Sequence, residues 1–180
     1  MLSKNELANR IHCDSPIVRG YKDLDKQLQQ CGVDIRRGRV WREAKLGDGV
    51  GEFHTIDFDN SKRAILELPE IKPMTEGEQS WFYLRPGHYL FQSIEKVWIP
   101  NDLCAISSVR STLMRTTAVT TDSPLFDPGY LGPDNTSIIV PEPGWRIELG
   151  ARYTQMVFFE LSSPIDDIDL YQGVYNEKVG

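Results

Sequence analysis

The stretch Trp81-Phe-Tyr-Leu-Arg-Pro-Gly-His-Tyr-Leu-Phe-Gln-Ser-Ile-Glu-Lys-Val-Trp-Ile-Pro-Asn-Asp-Leu103 decides the fold class. Short apolar runs, Trp81–Leu84, Tyr89–Gln92 and Val97–Pro100, are separated by Arg-Pro-Gly and Pro-Asn-Asp. Gly supplies positive φ and Pro presets its own, so these are turns with a mechanism. The same rhythm extends outward. Val33–Ile35, Val40-Trp41 and Ala64–Leu68 precede it; Leu103–Val109, Ala118–Thr120, Ser137–Val140, Trp145–Leu149 and Tyr153–Leu161 follow. Many short strands and few helices imply an all-β sandwich or barrel. Helix is expected only near the start. Ser3 and Glu6 form a capping-box pattern, and Leu7 and Ile11 share a face, which predicts about three turns. Tyr21–Gln30 is a second short helix or a polar loop. Residues 43–62, Gly-rich and polar, are expected to form a surface excursion or an irregular hairpin. Nothing resembles a linker, so residues 1–180 are expected to be one domain.

The chain has 180 residues, with 20 Lys+Arg against 26 Asp+Glu, a net charge of −6. That length can close a core. The acidic balance argues against nucleic acid as a partner, because duplex affinity comes mainly from cations neutralising phosphates. No run of about 18 apolar residues exists, so no membrane span is expected. The polar start carries no signal-peptide core. Cys13, Cys31 and Cys104 are far apart, so neither a zinc site nor a disulfide framework is expected. A reducing, cytoplasmic setting follows as the expectation.

The longest acid-free stretch, Leu103–Thr121, centres on Ser107-Ser-Val-Arg-Ser-Thr-Leu-Met-Arg115. Guanidinium groups beside small hydroxyls suit a polyphosphate, which needs planar bidentate donors and short donors close to the chain. The plain alternative is an exposed polar strand end. Downstream, Asp127 lies between Phe126 and a Pro-Gly turn, where a carboxylate could orient a water; its alternative is a turn-capping Asp. Tyr130 could stack on a base or ribose. Arg36-Arg37-Gly-Arg39 is expected to be a solvated loop, with reaching a triphosphate as the lesser alternative, Cys104 a buried small hydrophobe, and the four tryptophans core or subunit-interface aromatics. His12, His54 and His88 share no ligand spacing.

Taken together, Gly32-Val-Asp-Ile-Arg36, Leu84-Arg-Pro-Gly-His-Tyr-Leu-Phe-Gln92, Ile99-Pro-Asn-Asp-Leu103, Arg110-Ser-Thr-Leu113, Phe126-Asp-Pro-Gly-Tyr-Leu-Gly132, Gly150-Ala-Arg-Tyr-Thr-Gln155 and Tyr171-Gln-Gly173 resemble the motifs of the dCTP deaminase/dUTPase superfamily, in order and at its spacing. The resemblance implies a distorted jelly-roll β-barrel with a short N-terminal helix, assembled as a homotrimer with sites at subunit interfaces. It implies a deoxypyrimidine nucleoside triphosphate as substrate, with Mg²⁺ carried by the triphosphate rather than by a protein cage. Arg110, Ser111, Thr112 and Gln155 would hold phosphates. Asp127 and Arg115 would be catalytic, with Asp127 in the hydrolase branch orienting the water that attacks the α-phosphate. Tyr130 would lie under the sugar. Residues 162–180 would form a C-terminal lid carrying Tyr171 and Lys178.

One departure separates the two branches. In the deaminases a Glu ten residues after the motif Asp moves protons at the pyrimidine ring, and here that position is Ser137. Asp134 and Glu142 are the nearest acids, and strand parity turns both away from Ser137 unless a bulge intervenes. The dUTPase branch is matched imperfectly too, since its glycine-rich C-terminal motif is absent and the tail is deaminase-like. Hydrolysis of dUTP to dUMP and pyrophosphate is the leading expectation; dCTP deamination and an inactive nucleotide-binding relative are the alternatives.

Overall fold

The structure is a computed structural model that describes residues 1–42, 58, 68–116, 119–120, 124–173 and 176–177. The strands, in chain order, are β1 (Val18–Arg19), β2 (Val33–Arg42), β3 (Glu70–Ile71), β4 (Met74–Glu76), β5 (Gln79–Leu84), β6 (Gly87–Trp98), β7 (Leu103–Val109), β8 (Val119–Thr120), β9 (Leu125–Phe126), β10 (Leu131–Val140), β11 (Trp145–Glu148) and β12 (Arg152–Glu160). The helices are α1 (Lys4–Ile11), α2 (Leu24–Gln27) and α3 (Ser111–Thr116). The architecture is mostly β. One nine-stranded sheet has the order β8-β10-β6-β2-β12-β7-β9, with β1 added to β6 and β3 to β2. A three-stranded sheet, β11-β5-β4, lies on it through Phe82 and Leu84, which pack with Val40, Phe91 and Ile138. Under the other half, Leu7 and Ile11 of α1 pack against Val33, Ile35, Leu103 and Phe158.

Ser3 caps α1 by accepting the Glu6 N–H at 3.4 Å, as its pattern predicts, but the helix stops after two turns. Chain that must turn toward Pro16 cannot extend it, because the residue before a proline avoids helical geometry. The second helix is a single turn, capped by Asp23. Ala64–Leu68 and the 43–62 excursion lie almost wholly outside the described residues. Two pairs of expected runs fuse: 33–35 with 40–41 into β2, and 89–92 with 97–100 into β6. The first fusion passes through Arg36-Arg37-Gly-Arg39, so the expected solvated loop is strand. The acid-free stretch divides at Val109; Ser111–Thr116 is helical rather than a polar strand end, and Val119–Thr120 is strand again.

The reason β2 carries arginines through the interior is a buried clasp. Arg37 and Asp134 are both fully buried and meet at 2.8 Å. The same Asp134 carboxylate accepts from Ser107 at 2.7 Å, Thr154 at 2.8 Å and Thr136 at 3.1 Å. Its backbone N–H donates to Ser93 at 2.8 Å. A buried charge is tolerable only when paired and hydrogen-bonded, and this one is. The sheet therefore curls until β10 and β7, four places apart in its order, meet across the interior. A second buried carboxylate, Glu95, is held by Arg36 at 2.6 Å and Gln27 at 2.8 Å. Cys104 and the four tryptophans are half-buried rather than central, and His12 and His88 are exposed; His54 lies outside the described residues.

Candidate active site

At the C-terminal end of β7 the Arg110 N–H donates to Tyr153 O at 3.0 Å, which anchors the strand end on β12. The Arg110 carbonyl then accepts from Leu113 and Met114 at 2.9 and 3.1 Å and starts α3. Ser111, Thr112 and Arg115 are all exposed on this short helix. Beside it, Asp34, Gln155 and Ser108 sit side by side on three neighbouring strands. Arg110 Nε lies 2.9 Å from Asp34 Oδ2, and Arg152 Nη1 lies 3.2 Å from the same oxygen. Burial pushes the Asp34 carboxyl above its ordinary range, with Arg110 and Arg152 pulling it back. The result is a patch of guanidinium, hydroxyl and amide donors around one internal counter-ion. Such a donor set can take phosphate oxygens. A groove of about 410 Å³ adjoins it, lined among others by Leu113, Arg152, Tyr153, Trp145 and Trp81, with the Arg146 guanidinium 3.9 Å from the Trp81 ring centre.

The second group gathers at the turn after β9. Asp127 is exposed at its first position. The turn is held by Gly129 N–H to Ile99 O at 2.7 Å and Tyr130 N–H to Asp127 O at 3.1 Å. Gly129 has φ +92°, and a Cβ there would lie 2.8 Å from the Tyr171 nitrogen, so only glycine fits. The Tyr130 ring packs on Phe126 and Tyr171, with centres 5.2 and 5.8 Å apart, and its hydroxyl donates to Pro133 O at 2.7 Å. Burial pushes its phenol far above the ordinary value. Tyr130 is thus the floor of the turn. The tail packs on it: Tyr171 N–H donates to Pro128 O at 2.8 Å, and Asn176 bridges Gly129 O, Tyr171 O and the Leu131 N–H. Lys178 lies outside the described residues.

One chain does not bring the two groups together. Phe126 pairs with Ala105, so Asp127 falls level with Cys104, six residues before Arg110 on the same strand line. At about 3.3 Å per strand residue, that is roughly 20 Å. Arg110, Ser111, Thr112, Arg115 and Gln155 cluster at one end; Asp127, Tyr130 and Tyr171 lie at the other.

Ser137 is opposite Leu90, on the outward face of β10 with Asn135. Asp134 points inward on the same strand despite the bulge between Pro133 and Asn135, and is consumed by the clasp. Glu142 is exposed in the turn beyond the strand. Sequence reading passed over Asp34, Arg152 and Arg37 as working residues, and weighed Asp134 only as an acid near the ring. A signal existed for Asp34, an acid inside the apolar run Val33-Asp-Ile35; nothing local marked the partners.

The fold and these motifs meet in one comparison: the dCTP deaminase-like family model matches residues 1–161. The chain belongs to the dCTP deaminase-like family. Among relatives of this family member, "Probable deoxyuridine 5′-triphosphate nucleotidohydrolase" of Methanosarcina mazei is 32% identical over 179 residues, covering 99% of this chain and 97% of that protein. The deoxyuridine 5′-triphosphate nucleotidohydrolase of Methanocaldococcus jannaschii is 34% identical over 155 residues, 86% of this chain and 90% of that one. The crystal structure of 2′-deoxycytidine 5′-triphosphate deaminase from Agrobacterium tumefaciens superposes with TM-score 0.57 at 19% identity, over 87% of this chain and 47% of that one. That likeness bears on the fold.

Proposed function

We propose that this family member is a dUTP pyrophosphohydrolase, converting dUTP and water to dUMP and pyrophosphate. The observation that carries it is the pairing of an exposed Asp127 with an outward face of β10 on which no described residue is acidic: Asp134 is turned inward and Asn135 stands beside Ser137. Deamination needs a proton shuttle at the ring, because the amine leaves only after protonation. Hydrolysis at the α-phosphate needs none there. The names of the archaeal relatives support the same choice.

In this reading the phosphates sit against Arg110, Ser111, Thr112 and Gln155, with Arg115 adding charge toward the reacting groups. Asp127 accepts a hydrogen bond from the attacking water and holds its lone pair in line with the α-phosphorus. The water oxygen bonds to phosphorus as the bridge to the β-phosphate breaks, and Asp127 takes the proton. Pyrophosphate leaves with its new charge facing the guanidinium groups, the electrostatic term that dominates phosphoryl transfer. Mg²⁺, arriving with the triphosphate, would supply neutralisation of charge on the phosphate oxygens. The donors around Arg110 are mostly cationic or neutral, so they suit the phosphates and leave the metal to its own oxygens.

The roughly 20 Å between Asp127 and Arg110 supports a site shared between copies of the chain. Ile106 and Leu125, cross-strand partners, are both exposed, as is Met114, and they offer apolar surface for a neighbour. We assign the finer architecture to a jelly-roll homotrimer with the 162–180 tail, including Tyr171 and Lys178, as a lid, working in the cytoplasm.

The deciding assay incubates pure protein with dUTP and with dCTP and measures pyrophosphate and ammonia separately. Pyrophosphate from dUTP that falls about a hundredfold or more in Asp127→Asn is the expected result. Ammonia from dCTP without pyrophosphate would establish deamination instead, and binding without turnover would leave a nucleotide sensor.

A further inference from the structure

We infer that Arg37 and Asp134 are positioning residues for the nucleotide site, their buried clasp fixing the strands that carry the phosphate donors. This rests on the hydrolase reading above. Both side chains are fully buried, yet burial alone does not explain them. A buried ion pair seldom stabilises a fold more than apolar residues of the same volume would, because desolvation offsets the attraction. The surroundings could have accepted such residues: Val109, Ile138, Tyr153 and Phe91 are all buried in the neighbouring cluster. What the ion pair supplies instead is direction.

Two of the partner hydroxyls, on β7 and β12, lie one residue from the outer donor patch. Ser107, bonded to Asp134 at 2.7 Å, precedes Ser108 and stands three residues before Arg110. Thr154, bonded to Asp134 at 2.8 Å and to Arg37 at 2.6 Å, precedes Gln155. Consecutive strand residues face opposite sides, so fixing an inward hydroxyl fixes the outward neighbour. Val109 pairs with Thr154 and Ser108 with Gln155, so the clasp ties β7 to β12 at the end of their ladder that carries the donor patch. Asp134 and Thr136 tie the same point to β10, the strand that follows the Asp127 turn. Apolar packing would leave the backbone ladder alone to hold β7 and β12, with no directional tie from their inward hydroxyls to β10. A misplacement of about 1 Å can cost about a hundredfold in rate.

The test uses Thr154→Val, which keeps shape and removes the hydroxyl, and Thr154→Ser, which restores it. Both are assayed with dUTP and Mg²⁺ well below their unfolding temperatures. We expect kcat/KM to fall about tenfold or more in Thr154→Val and to return within about twofold of wild type in Thr154→Ser. Calorimetric affinity for a non-hydrolysable dUTP analogue should weaken about threefold or more in parallel and recover with it. A Thr154→Val protein with a lowered unfolding temperature but wild-type kcat/KM and affinity overturns the inference. A folded Arg37→Leu/Asp134→Leu double variant with wild-type turnover overturns it too; if that variant does not fold, the Thr154 pair decides. Wild-type protein that releases no pyrophosphate sinks the hydrolase reading, and the affinity comparison then judges the clasp on its own.

Discussion

Two inactive variants should restore each other. Asp127→Asn removes the carboxylate proposed to orient the water and leaves the proposed phosphate cluster whole. Arg110→Ala does the reverse. Within one chain these residues stand roughly 20 Å apart along β7, too far to touch one triphosphate. If each site takes its phosphate donors from one copy and Asp127 from the next, a ring of mixed chains regains some complete sites. In a randomly mixed equimolar ring, a site works only when the first copy keeps Arg110 and the second keeps Asp127. That chance is about one half times one half, so about a quarter of wild-type turnover per site should return. The assay co-refolds the two variants from denaturant and measures pyrophosphate release from dUTP, with each variant refolded alone as the control. A mixed assembly, shown by differential tags to contain both chains, that stays as inactive as its parents would refute the shared site. It would mean that Asp127 and Arg110 act in separate places or that one of them does not act at all.

Three further outcomes follow from local geometry. Gly129→Ala places a side chain at φ +92° and 2.8 Å from the Tyr171 nitrogen, so it should cost more than about 1 kcal/mol and release the tail, read as faster proteolysis near Leu170. Glu70 is held down to about 2 by hydrogen bonds from Arg39 and Lys72. Its folded value lies below the unfolded one, so its contribution is complete above about 4.5 and is lost as pH falls through about 2. Glu70→Gln should therefore flatten the acid limb of the stability–pH curve and leave neutral behaviour nearly unchanged; an unaltered acid limb counts against the pairing. Burial pushes the Tyr130 and Tyr153 phenols far above their usual value, so ultraviolet titration should show two tyrosines ionising only as the fold is lost. Seven phenols titrating together in native protein would contradict that packing.

Much of the architecture is written locally. Turn residues such as Arg85-Pro-Gly87 act through their own φ angles, and β7 has the bounds its apolar run predicts, Leu103–Val109. The Ser3 cap needs only Glu6 three residues on. Asp127, Arg110, Ser111, Thr112 and Gln155 were legible because their motifs are short and contiguous, and the absent acid at Ser137 was legible by counting. The Arg36-Arg37-Gly-Arg39 run shows where such reading stops. Hydropathy assigns a run of arginines to water, and the buried state of Arg37 depends on Asp134, 97 residues away. Likewise Asp34 gains its role from Arg110 and Arg152, both brought to it by strand pairing.

By itself the sequence determined the β-rich character, the motif order and the inventory of candidate phosphate donors, since these depend on residue type and near neighbours. Only the tertiary structure decided which charges are spent inside and which remain outside. It turned Asp134 from a candidate acid into a strut and Tyr130 from a candidate platform into the floor of a turn, and it set the Asp127 and Arg110 groups at opposite ends of one strand line. The physical reason is the same in each case. The energy of a charge or a ring depends on what surrounds it, and the surroundings are supplied by strands distant in the chain.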